Sequence, residues 1–267
     1  DLSSIGGVVV KGTTLKPRRG NDGVRITETP AGMLNCIGLE NPGAPYFLEH
    51  YLPEVKKLGC PYIANMVGKS VEEYAECAKL LSVPGISALE VNISCPNVKE
   101  GGIAFGQNPK ALEEITKEVK KYAKQPIIMK LSPNVTDITE MARAAEAGGA
   151  DILSLINTLT GMKIDIYRKT FALANKTGGM SGPAVKPVAV RMVYQVAQAV
   201  NIPIIGMGGI SCAEDAIEFL LAGASAVSVG TANFHNPAVT LEVIDGIEAY
   251  MKKNGFENVK DMVGIVK

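Results

Sequence analysis

The chain has 267 residues, 46% of them hydrophobic, with 27 basic and 27 acidic side chains and a formal net charge of zero. That composition is ample for a core and excludes disorder, while the lack of a charge excess argues against a nucleic-acid or membrane-surface binder. No apolar run approaches the ~18 residues of a membrane span, and no signal-peptide pattern opens the chain. Cys36, Cys60, Cys77, Cys95 and Cys212 are odd in number, widely spaced and free of CxxC. This favours a reducing, cytoplasmic setting and excludes an iron–sulfur or structural zinc site made by this chain alone, so no metal site is expected.

In chain order, β-rich runs alternate with helical patterns. Strands are expected at 7–11, 62–66, 88–94, 126–131, 152–157, 202–207 and 226–230. Most are continuous apolar stretches, as parallel strands covered on both faces require. Helix starts are read at Ser70 with Glu73 and at Ser211 with Glu214, both capping boxes, and more loosely at Asp137 with Glu140. Asn108 before Pro109 opens a helix whose apolar stripe is Leu112, Ile115, Val119 and Tyr122. Gly148, Gly149, Gly223 and Gly255 stand where helices should stop.

Without a linker or composition shift, residues 1–267 read as one domain. Repeated strand–helix units mean an open doubly wound sheet or a closed (β/α)8 TIM barrel. The barrel is favoured because no GxGxxG follows the first strand, the length fits, and Lys11, Asn65, Asn92, Lys130 and Asn157 close five of the strands. Seven strands are one short of closure. Either Met33–Gly38 is the eighth strand or one lies upstream of Asp1; because Asn35–Gly43 reads as a loop, the missing first strand is expected upstream, in a chain truncated at its start.

Three glycine-rich segments carry a phosphate signal: Gly206–Gly209, Gly230-Thr231 and Gly178–Gly182. Bare backbone approaches an anion closely, helix N-termini aim N–H groups at it, and barrels often bind phosphate after strands 7 and 8. Each loop alone could be only a tight turn. Asn92-Ile93-Ser94-Cys95-Pro96-Asn97 brings amides, a hydroxyl and a thiol to one strand end, with Glu90, Asn92 and Ser94 alternating onto one face. A thiol there acts as a general base only when partly ionised; otherwise it is inert packing. Lys130 ends an apolar strand, where a lysine needs an anion or acceptor. It could form a Schiff base or offset charge on a cofactor, and Lys11 poses the same question. His50 and His235 are given no role.

Taken together, these residues resemble dihydroorotate dehydrogenases over essentially the whole chain. The carriers are Lys11-Gly12-Thr13-Thr14, Asn35–Leu39, Asn92–Asn97, Lys130–Asn134, Ile156-Asn157-Thr158, Gly206–Gly209 and Gly230-Thr231. The runs Asn92–Gly106 and Leu173–Gly179 look most like the NAD-linked, two-subunit bacterial type. The resemblance implies a TIM barrel that binds FMN at its C-terminal face and oxidises dihydroorotate to orotate in pyrimidine biosynthesis. It implies that Cys95 takes the proton from C5 of the substrate while hydride leaves C6 for the flavin, and that Lys130 offsets charge on the reduced ring. Asn35, Ile37, Gly38, Leu39, Asn92, Asn97, Asn157 and Thr158 would hold the substrate. Lys11, Gly12, Asn65, Asn92, Lys130, Ile156, Gly182, Gly208, Gly209, Gly230 and Thr231 would hold FMN. It also implies a partner subunit carrying FAD and a [2Fe-2S] cluster that passes electrons to NAD, in a heterotetramer of two catalytic and two electron-transfer subunits. The competing readings are a single-subunit, fumarate-linked enzyme, a phosphate-binding aldolase or isomerase using Lys130, and a flavin-binding scaffold without catalysis.

Overall fold

The computed structural model describes residues 2–93 and 105–266. Strand β1 (Val8–Val9) leads into a hairpin of β2 (Ile26–Thr29) and β3 (Gly32–Asn35), then through short helical turns over residues 44–58 to β4 (Tyr62–Met66). Helix α1 (Val71–Leu81), β5 (Ala88–Asn92), α2 (Pro109–Tyr122), β6 (Ile127–Lys130), α3 (Ile138–Ala147) and β7 (Ile152–Leu155) follow. Next come β8 (Leu159–Met162), β9 (Ile164–Asp165), β10 (Thr170–Phe171) and β11 (Thr177–Ser181). The chain then runs through α4 (Lys186–Ala197), β12 (Ile204–Met207), α5 (Ala213–Ala222), β13 (Ala226–Ser228) and α6 (Val239–Asn254).

Seven of these strands pair in parallel in the order β1-β4-β5-β6-β7-β12-β13. They are the seven that the apolar runs predict. The central strands are covered on both faces: Leu89, Glu90 and Val91 on β5 and Ile127, Ile128 and Met129 on β6 are all buried, whereas Val9 on β1 and Ala226 on β13, at the edges, are exposed. Residues just past β1 and β13, at opposite edges of the sheet, line one cavity, so the sheet is curled. Helices pack on its outer surface around a single large apolar core. This is the α/β architecture of a TIM barrel. The strand expected upstream of Asp1 lies outside the described residues.

Helix starts follow the sequence closely, with one shift. Ser70 Oγ accepts from the Glu73 N–H at 3.3 Å, and the Glu73 carboxylate reaches back to the Lys69 N–H. Asn108 accepts from the Lys110 and Ala111 N–H groups, and Asp137 from that of Thr139. At α5 the cap lies one residue later than Ser211 and Glu214. Asp215, rather than Glu214, accepts from the Cys212 and Ser211 N–H groups, because it is the residue that faces inward. On α2, Leu112, Ile115 and Val119 are buried as expected, but Tyr122 ends the helix largely exposed.

The loop read over Asn35–Gly43 holds apart from Asn35, which ends β3, whereas most of the glycine segment Gly178–Gly182, read as a flexible loop, lies in a strand. Gly32–Asn35 and Thr177–Ser181 pair antiparallel, Asn35 opposite Gly179 and Ser181 opposite Met33, in a second sheet ordered β2-β3-β11-β8. The glycines of β11 serve close packing rather than looseness. A Cβ on Gly179 would stand 2.1 Å from Thr158 Oγ1, and one on Gly178 would stand 2.7 Å from the Asn35 carbonyl oxygen.

Candidate active site

The second sheet sits over the C-terminal ends of the barrel strands, and between the two lies a cavity of about 1140 Å³. Barrel strands contribute one wall. Lys11 and Gly12 follow β1, Asn65 lies on β4, Asn92 ends β5 and Lys130 ends β6. Ile156, Asn157 and Thr158 follow β7, Gly208 and Gly209 follow β12, and Gly230 and Thr231 follow β13. The opposite wall comes from Asn35 on β3, the segment Ile37-Gly38-Leu39 beyond it, and Gly182 beyond β11. Thus every expected site residue among the described ones lines this cavity; Cys95 and Asn97 lie outside the described residues. His235, given no role from the sequence, also lines the cavity.

Beneath the cavity the barrel interior is polar, because strand alternation turns Asn65, Glu90, Lys130 and Ser154 inward. Glu90 is 1% exposed. Its carboxylate accepts from Ser154 Oγ at 2.8 Å and from Asn65 Nδ2, and Lys130 Nζ stands 3.7 Å away. Attraction at that separation is on the order of 4 kcal/mol for an effective dielectric near 20, set against the desolvation of both charges. Lys130 therefore enters the site as the cationic half of an ion pair, which suits charge compensation better than a Schiff-base amine. Lys11, by contrast, is exposed. Nearby, Asn157 Nδ2 donates to Asn92 Oδ1 at 3.2 Å, and the Tyr74 hydroxyl donates to the Asn92 carbonyl at 2.9 Å. Sequence reasoning assigned no role to Glu90; its one signal was a carboxylate inside an otherwise apolar strand.

The glycine side of the cavity is built for close approach. Gly208 and Gly209 have φ of 122° and 84°, which only glycine adopts readily. A Cβ on Gly209 would come within 2.8 Å of Lys186 Cβ. At Gly230, in contrast, an added Cβ meets no atom within 4 Å, so packing within the chain does not explain the bare backbone there. Deeper in, Asn65 Oδ1 is buried and accepts no hydrogen bond among the described residues, although Gly12 leaves it approachable: a Cβ there would stand 2.9 Å away. A ligand with a phosphate and a planar, donor-bearing ring fits these features.

The α5 N-terminus differs from expectation as an anion site, since Asp215 already occupies the Ser211 and Cys212 N–H groups. Its place is structural. Lys186, which backs the Gly209 turn, bridges to Asp215 at 2.7 Å and to Glu218 at 2.6 Å. Burial works to raise the Asp215 carboxyl, but hydrogen bonds from Lys186, Ser211 and Cys212 outweigh it and hold the group at about 2, below its ordinary 3.8. The folded state thus binds this proton more weakly than the unfolded chain. The stabilisation is complete above about pH 4 and is lost as pH falls through about 2, on the order of 2 kcal/mol in all. Urea unfolding of Asp215→Asn at pH 7 should show a loss of that size and a flatter acid limb than the wild type. Equal midpoints at neutral pH would show that the carboxylate adds nothing to stability.

Among the described residues, no helix is long and apolar enough to cross a membrane, and no group of three His, Cys, Asp or Glu side chains could hold a metal. The sequence profile of one family, described as dihydroorotate dehydrogenase, matches residues 1–251. A protein of Lachnoclostridium phytofermentans named dihydroorotate dehydrogenase B (NAD(+)), catalytic subunit, is 62% identical over 100% of this chain and 89% of its own length. Proteins of the same name from Desulforamulus reducens and Bacteroides fragilis are 58% and 54% identical, over 99% and 100% of this chain and 87% and 88% of their own lengths.

Proposed function

Because the chain belongs to the dihydroorotate dehydrogenase family, we propose that it is the FMN-binding catalytic subunit of an NAD-linked enzyme oxidising dihydroorotate to orotate in pyrimidine biosynthesis. Residues 1–267 form one domain in this reading. The observation that carries it is the cavity in which a glycine rim, a buried amide oxygen with no partner among the described residues and a lysine backed by a buried carboxylate face Asn35 on the opposite wall.

The bound flavin supplies a two-electron acceptor that no side chain offers. Gly182, Gly208, Gly209 and Gly230 would hold its phosphate through bare backbone, and Lys11, Gly12, Asn65, Asn92, Lys130, Ile156 and Thr231 would hold the rest of it. Asn35, Asn92, Asn97 and Asn157 both donate and accept, as a pyrimidine edge of alternating N–H and carbonyl groups requires. Ile37, Gly38, Leu39 and Thr158 complete that side, and the antiparallel sheet excludes water from it. Cys95 removes the proton from C5. The name "catalytic subunit" borne by the relatives supports a separate electron-transfer partner. That partner carries FAD and a [2Fe-2S] cluster in a cytoplasmic heterotetramer.

Anaerobic addition of dihydroorotate to the purified protein should bleach a visible flavin band, and adding the partner subunit with NAD should restore it. A colourless protein with no affinity for FMN, or an unbleached band, would overturn the reading. Rapid restoration by fumarate alone would replace the NAD link with the single-subunit type.

A further inference from the structure

We propose that Glu90, which does not line the cavity, tunes the reduction potential of the flavin by setting the charge that Lys130 presents to it. The inference rests on the flavin reading above and deepens it.

Four adjacent strands meet at this carboxylate. Asn65 comes from β4, Glu90 from β5, Lys130 from β6 and Ser154 from β7, with Glu90 opposite Asn65 and Lys130 opposite Ser154 in the sheet register. Oε1 accepts from Ser154 and Oε2 from Asn65, both neutral donors. Lys130 Nζ lies 3.7 Å from Oε2, an ion-pair rather than a hydrogen-bond distance, which leaves its N–H groups able to point elsewhere. The Lys130 side chain is 18% exposed and borders the cavity, whereas that of Glu90 is 1% exposed. The cavity therefore meets a cation whose field is partly cancelled from behind.

A full positive charge beside a ring that gains electrons favours the reduced form; a cancelled one favours it less. Glu90 is thus a positioning and charge-setting residue, and it does not touch substrate. A merely structural carboxylate would affect folding and leave the potential alone.

The test is spectroelectrochemical titration of FMN-loaded protein. In Glu90→Gln the amide keeps the side-chain length and an acceptor, but the negative charge is gone. At a fixed solution potential its ratio of reduced to oxidised flavin should rise at least tenfold, about 30 mV for a two-electron couple. Glu90→Asp, which retains the charge, should titrate nearer the wild type. An unmoved or lowered potential in Glu90→Gln overturns the inference. Should that variant fail to fold or to hold FMN, Ser154→Ala carries the test. It removes a donor that shares the carboxylate's charge, so the potential should fall, and an unmoved value is decisive against the inference. Wild-type protein that takes up no FMN overturns the functional reading and this inference with it. Normal bleaching in the wild type with an unmoved variant potential overturns this inference alone.

Discussion

The Cys95→Ser protein is expected to bind flavin and dihydroorotate as the wild type does, and to bleach its flavin band roughly 10²- to 10⁴-fold more slowly at neutral pH. An unperturbed thiol titrates near 8.5, so a few per cent is thiolate at pH 7, whereas an alcohol is essentially never ionised there. The substitution removes the base and little else, since sulfur and oxygen differ modestly in size. Cys95 stands three residues beyond Asn92 in the sequence, and Asn92 lines the cavity. The serine variant should keep gaining about tenfold per pH unit after the wild-type rate has levelled off above the thiol pKa. Stopped-flow bleaching between pH 6 and 10 reads both effects. An unchanged rate at pH 7 would remove Cys95 from the role of base.

Lys130→Met should destabilise the protein by about 3–5 kcal/mol, because it strands the Glu90 charge in the barrel interior. The partner is 1% exposed and cannot recover its hydration by turning outward. Adding Glu90→Gln to Lys130→Met should return most of that stability, since the pair is then neutral on both sides. Urea unfolding of the two single variants and the double variant closes the cycle. A loss below about 1 kcal/mol in Lys130→Met would mean that Asn65 and Ser154 alone suffice for the carboxylate.

The seven barrel strands were legible because strands covered on both faces over most of the sheet are written as largely apolar runs. The second sheet was not. Ile26–Thr29, Leu159–Met162 and Thr177–Ser181 are short and partly exposed, and β11 opens Thr177-Gly178-Gly179, a pattern that reads as a turn. The approach of Thr158, of the Asn35 backbone and of the Leu173 side chain explains those glycines, and the first two are distant in sequence. The cavity lining was largely legible, since polar residues at strand ends need no tertiary information to stand out. Glu90 escaped because its role depends on neighbours from three other strands. Asp215 escaped because a shift of one residue decides which carboxylate faces Lys186.

The cavity is bounded by two sheets that share no strand and whose hydrogen-bond ladders have independent registers. Remodelling of one bank, such as a changed side chain at Asn35 or a lengthened turn near Ile37, leaves the strand alignment of the other as it was. Ligand preference on the antiparallel side can therefore drift, or be redesigned, while the parallel side goes on gripping whatever it holds.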